Sequence, residues 1–206
     1  MGRILEISAE HPQPYLVKQA VEVLRSGGII AHPTDTTYAL AVAMSNKKGV
    51  DELYRIKKKD LTRPLSFLCS DISNLSEYAL INDVAFMMMR KVLPGAYTII
   101  LPAKKNAPKN TIWSKRKEIG LRVPDDNVVQ ALIDELGEPL ISTSAKEPGG
   151  DLMALPHDIQ DVFGYSVELI LDVGWIEPAP STIISFLNEE PEIIREGKGT
   201  LEPLYG

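Results

Sequence analysis

The sequence predicts a single α/β domain: one twisted, mixed β-sheet with helices packed on its faces. Three observations carry this. Helical and strand patterns are interspersed along all 206 residues, with no repeat, low-complexity tract or long Gly/Ser linker to mark a boundary. Several strands follow one another directly, which a strict βαβ series would not allow. Finally, 44% hydrophobic and 24% charged residues describe an ordinary globular chain, long enough to bury a sizeable core.

The elements read as follows. "PQPYLVKQAVEVLRSGG" opens on prolines, sets Leu16, Ala20, Val21 and Leu24 on one face and stops at Gly27-Gly28, which are helix start and stop signals. "IIA" and "YALAVAM" are short buried strands on either side of "HPTDTTY". Asn46 caps a helix through "VDELYRIKKK", with Val50, Leu53, Tyr54 and Ile56 inward. "LSFLC" is a strand, and "DISNLSEYAL" and "NDVAFMMMRKVL" are helices opened by Asp71 and Asn82; Met87–Met89 reads as core filling. Pro94-Gly95 breaks the second helix before the strand "AYTIILPA". Then come "KEIGLRVP" (strand), "NVVQALIDELG" (helix), "PLISTSA" (strand) and "PHDIQDVFG" (helix), and three strands close the chain: "VELILDVG", "STIISFL" and "EIIREG".

Charge and cysteine content narrow the function. No apolar run approaches the ~20 residues of a membrane helix. Glu6 and Glu10 stand where a signal peptide would be apolar, and the single cysteine, Cys69, suits a reducing cytosol, so a cytoplasmic protein is expected. Three scattered histidines give no metal-ligand spacing with that cysteine, so no protein metal site is expected. Net charge is −6, yet Lys47–Arg122 holds 16 of the 22 Lys and Arg against 7 of the 28 Asp and Glu. That segment is at +9 and the remainder at −15, a split that points to a polyanion such as ATP or RNA.

No Walker A loop, G-x-G-x-x-G or G-x-S-x-G elbow is present. What remains is a set of polar stretches, each at the end of an apolar strand: "PTDTTY" (33–38), "KKKDLTRP" (57–64), "GLRVP" (120–124), "STSAKEPGG" (142–150), "PST" (180–182) and "REGKG" (195–199). They offer hydroxyls from Thr34, Thr36, Thr143, Ser144 and Ser181 and cations from Lys57, Arg122 and Arg195, which is the equipment for holding carboxylates and phosphates. A bland alternative stays open for the first of them: Asp35 and Thr36 could simply tie up a tight turn.

In their order and spacing, from about Gly27 to Gly199, these stretches resemble the YrdC/YciO family, which includes threonylcarbamoyl-AMP synthases. The resemblance implies a large, positively charged cavity and a nucleotidyl transfer. L-threonine, bicarbonate and ATP, with Mg2+ brought by the nucleotide, would give threonylcarbamoyl-AMP and pyrophosphate for modification of position 37 of tRNA. It implies that Thr34 and Tyr38 line the threonine side and that Arg122 clamps the amino-acid carboxylate. Lys57 would reach the phosphates, Thr143 and Ser144 the nucleotide, and Ser181 and Arg195 further phosphate contacts.

The chain departs from the synthase pattern at three places. Lys59 and Asp60 replace the Arg and Pro of the lysine loop, Lys146 and Pro148 replace Asn and Ser in the serine loop, and Ala39 replaces Gly after Tyr38. These point toward the YciO branch, with Arg63 a candidate substitute for the missing arginine. The runner-up function is a protein that binds double-stranded RNA or tRNA without efficient synthesis. At 6% aromatic residues, recognition would be of backbone and shape, with "WSKRKEIG" (113–120) the densest basic stretch. A different ATP-dependent adenylate-forming enzyme is a third reading.

Overall fold

The computed structural model describes residues 1–56, 65–105, 107, 117–147, 149–188 and 190–205. Among these residues, ten strands form one mixed sheet. They are β1 (Arg3–Glu6), β2 (Ile30–His32), β3 (Ala39–Ala43), β4 (Ser66–Leu68), β5 (Tyr97–Pro102), β6 (Glu118–Arg122), β7 (Leu140–Ser144), β8 (Leu169–Asp172), β9 (Thr182–Ser185) and β10 (Glu192–Arg195). Their order across the sheet is β1-β8-β2-β3-β7-β4-β6-β5-β9-β10. The helices are α1 (Pro14–Arg25), α2 (Lys47–Ile56), α3 (Ile72–Tyr78), α4 (Asp83–Val92), α5 (Asn127–Leu136) and α6 (Pro156–Phe163), with a closing turn, α7 (Glu202–Tyr205).

The helix ends follow the local chemistry. Asp71, Asn82 and Asp126 each accept a backbone N–H three residues on, at 2.7, 2.8 and 2.9 Å. Asn46 caps α2 through the N–H of Gly49 at 2.9 Å and also donates to the carbonyl of Gly27 at 2.7 Å, tying the ends of α1 and α2 together. Gly137 ends α5 at φ 80°, a left-handed conformation that costs glycine nothing.

Consecutive strand residues point to opposite faces, so each apolar run feeds two cores. Ile30, Ala41, Ala43, Leu68, Leu140, Leu169 and Leu171 pack on the buried faces of α1 and α5. Their neighbours Ala31, Leu40, Val42, Phe67, Ile141 and Ile170 pack on the other face with Leu53, Leu75, Met89 and Ile159 from α2, α3, α4 and α6. A sheet covered on both sides needs apolar residues at every position, which is why these strands read as unbroken runs.

Three details differ from the sequence expectation. β1 was not expected; it pairs in parallel with β8, from Arg3 opposite Leu169 to Glu6 opposite Asp172. α7 was not expected either. Of the methionine run only Met89 is buried, while Met88 is half-buried and Met87 is 66% exposed. Residues 100° apart on a helix cannot all face one core. No helix among the described residues is long and apolar enough to cross a membrane.

Candidate functional site

The loop 33–38 joins β2 to β3, and its hydroxyls build it. Thr34 Oγ1 accepts from the N–H groups of Thr36 and Thr37, both at 3.1 Å, and donates to the carbonyl of Thr37 at 2.7 Å. The Thr36 hydroxyl also lies 2.9 Å from it, so the Thr34 hydroxyl has no capacity to spare. The Tyr38 hydroxyl, at the end of a fully buried side chain, donates to the carbonyl of Gly174 at 2.6 Å and accepts from the N–H of Val173 at 3.1 Å. Burial above all pushes its pKa up to about 12, so it remains a donor throughout the physiological range. Thr34 and Tyr38, expected on the threonine side of a pocket, thus spend their hydroxyls on backbone. Tyr38→Phe should cost roughly 1–3 kcal/mol by stranding both partners, read as a fall in the urea midpoint.

Asp35 is the hub of the loop. Its carboxylate pairs with Arg122, at the end of β6, with both side chains about one-tenth exposed, and accepts from the N–H of Asp125 at 3.2 Å. The same Arg122 Nη2 donates to Thr36 Oγ1 at 2.9 Å. Burial presses the Arg122 pKa down, and the charge and hydrogen bond of Asp35 oppose it. Arg122 Nε is buried without a partner among the described residues.

The C-terminal stretches close on this pair. Lys198 Nζ donates to the Asp35 carbonyl at 2.7 Å. The N–H of Ala179 donates to the Thr36 carbonyl at 3.0 Å. Arg195 donates to the Ser181 carbonyl from Nε at 3.0 Å and from Nη2 at 2.7 Å, and Ser181 Oγ lies 2.8 Å from Thr98 Oγ1 on β5. Thr182 Oγ1 accepts from the N–H of Gly197 at 2.9 Å and donates to the Gly199 carbonyl at 2.6 Å. A Cβ on Gly197 would lie 2.3 Å from the Pro180 carbonyl oxygen, so only glycine allows this approach.

The serine stretch meets loop 33–38 through backbone: the N–H of Ala145 donates to the Tyr38 carbonyl at 2.8 Å. Here the expected pair divides. Thr143 sits opposite Leu40 and Ser144 opposite Ala39, so the two face opposite sides of the sheet, and Ser144 alone is exposed. The candidate nucleotide residues Lys57, Lys59 and Arg63, like Asp60, Pro148 and Trp113–Arg116, lie outside the described residues. A cavity of about 440 Å³ opens between the starts of α3 and α5, lined in part by Val123 and Pro124, which follow Arg122 in the chain, and its carboxylates are Asp71, Asp125 and Asp126. Burial raises the Asp126 pKa.

Sequence reasoning singled out Arg122, Ser181 and Arg195, and the structure joins them through loop 33–38 and the loop 195–199. It passed over Asp35 as a pairing residue and left Lys198 and Thr98 without roles. Lys198 was legible only as one letter of "REGKG", and Thr98 as one polar position in an apolar strand.

Comparison with known proteins matches residues 22–197 to the Sua5/YciO/YrdC family, described as telomere recombination. YciO of Escherichia coli (strain K12) is 37% identical over 204 residues, covering 98% of this chain and 99% of its own. The crystal structure of E. coli YciO superposes with a TM-score of 0.93 over the same shares. The threonylcarbamoyl-AMP synthase of Bacillus subtilis (strain 168) is 29% identical over 201 residues, 97% of this chain but 57% of that one. A crystal structure of P. abyssi Sua5 complexed with L-threonine shares the fold at a TM-score of 0.90 and 24% identity, over 98% of this chain and 59% of that one. On this match the chain belongs to the Sua5/YciO/YrdC family.

Proposed function

We propose that the chain is a nucleotidyltransferase of the threonylcarbamoyl-AMP synthase type, or a weakly active paralogue of one. One observation carries the reading: polar stretches as much as 163 residues apart are drawn by hydrogen bonds into a single set of cations and hydroxyls around Asp35, Arg122, Ser181 and Arg195. The B. subtilis relative named as such a synthase and the fold shared with a Sua5 bound to L-threonine support it.

In the proposed reaction the threonine amine captures carbon dioxide from bicarbonate and loses a proton, giving N-carboxythreonine. A carbamate oxygen then attacks the α-phosphorus of ATP, the bond from that phosphorus to the bridging oxygen breaks, and pyrophosphate leaves. Positioning and charge stabilisation would supply most of the rate. Arg122, fixed by Asp35, would meet the substrate carboxylate, while Ser144, Ser181, Arg195 and Lys57 would meet the nucleotide. Thr143, on the opposite face, would act through packing. Magnesium would arrive on the nucleotide's phosphates, because the carboxylate of loop 33–38, Asp35, is already paired with Arg122.

The test is mass spectrometry of a short incubation with Mg-ATP, bicarbonate and L-threonine. A threonylcarbamoyl-AMP peak that requires all three substrates, and falls at least tenfold in Lys57→Ala and Ser144→Ala, is the expected result. Absence of the peak, with duplex RNA bound in a salt-dependent manner, would instead favour the RNA-binding reading that the +9 segment supports.

A further inference from the structure

Two of the site's arginines already have protein partners. Arg122 is neutralised by Asp35, and Arg195 is directed at the Ser181 carbonyl and hydroxyl. Lys198 differs from both. Its side chain is exposed, and its ammonium makes one hydrogen bond, to a backbone carbonyl at Asp35, and no ion pair among the described residues. An ammonium carries three donors, so two remain toward solvent with their full charge.

The position of that charge is fixed from below. The Lys198 N–H donates to the Pro180 carbonyl at 2.8 Å, and Thr182 Oγ1 bonds to Gly197 on one side and Gly199 on the other. Gly197 is seated too closely on Pro180 and Ser181 to admit a side chain. Lys198 therefore extends from a bolted turn, and its Nζ reaches the loop that holds Arg122. It bridges the stretch 195–199 and loop 33–38.

We infer that Lys198 is an anion-binding residue of this site, whose ammonium contacts the polyphosphate of a bound nucleotide. The inference rests on the nucleotide reading above. The cation is the Lys198 ammonium, carried on the turn that follows β10. As a point charge on a flexible stem, it favours phosphates without demanding a fixed approach.

The experiment is titration calorimetry of the full chain with ATP, inorganic tripolyphosphate and adenosine, for the wild type, Lys198→Met and Lys198→Arg. Loss of one charge-assisted contact should weaken ATP and tripolyphosphate roughly tenfold in Lys198→Met, leave adenosine unchanged, and be largely restored in Lys198→Arg. A residue that only ties two loops together would affect adenosine and ATP alike, and that pattern overturns the inference. So does unchanged affinity for both anions in Lys198→Met when the wild type binds them. If the wild type binds neither ATP nor tripolyphosphate, the nucleotide reading falls as well.

Discussion

Arg122→Ala should cost about 3–5 kcal/mol of stability, because it leaves the carboxylate of Asp35 enclosed without its counter-charge. With both side chains about one-tenth exposed, solvent can compensate little. For a chain of this length that corresponds to a fall of very roughly 10 °C in Tm, read by differential scanning calorimetry. Asp35→Ala should be similarly severe, since it strands the buried guanidinium. The double replacement Arg122→Met with Asp35→Leu should recover most of the loss, because removing both charges also removes the cost of desolvating them. If each single variant lost less than about 1 kcal/mol, the pair would be behaving as an exposed one. For activity measurements, the consequence is that Arg122→Ala cannot separate a lost substrate contact from a collapsed loop, whereas Ser144→Ala and Lys198→Met can.

The second large effect is expected in acid. His32, the last residue of β2, is fully buried, and its Nδ1–H donates to the Pro33 carbonyl at 2.8 Å. A carbonyl oxygen can only accept, so the hydrogen is on Nδ1, and Nε2 has no partner among the described residues. Burial lowers the His32 pKa from 6.5 to about 4; the bond to Pro33 pulls it partly back, and the charge of Arg122 pushes it down further. Between those values the unfolded chain holds a proton that the folded chain excludes. The stabilisation is complete above pH 6.5 and is lost as pH falls toward 4, amounting to about 3 kcal/mol. Urea unfolding at pH 7 and pH 4.5 should show the wild type losing more stability than His32→Asn, by most of that amount. Equal losses would mean that His32 titrates normally and is not enclosed.

The main elements were legible because their signals are local. Caps at Asn46, Asp71 and Asn82, the glycine stop after α5 and the paired apolar runs all act within a few residues. The misses are non-local. β1 has four residues with no alternation of its own and exists because β8, more than 160 residues later, presents an edge for it. The same holds at the site. "PTDTTY" advertises a turn, and Thr34 does build one, but nothing near Asp35 announces a partner 87 residues away. The methionine run misled for a simpler reason: composition suggested burial, and helical geometry allowed it only for Met89.

The bond from Lys198 to Asp35 also bears on the order in which the protein is made. Loop 33–38 leaves the ribosome early and meets residue 198 only after 163 further residues have been added. At ordinary synthesis rates that is a wait of roughly ten to thirty seconds. Through that interval the nascent chain can pair β2 with β3, since both lie on the same side of the gap, but it lacks β9, β10 and the turn that carries Lys198. The tie between Lys198 and Asp35 therefore forms late, onto a loop whose flanking strands are already made, and a chain cut before residue 198 would keep β2 and β3 but lack the cation that reaches loop 33–38.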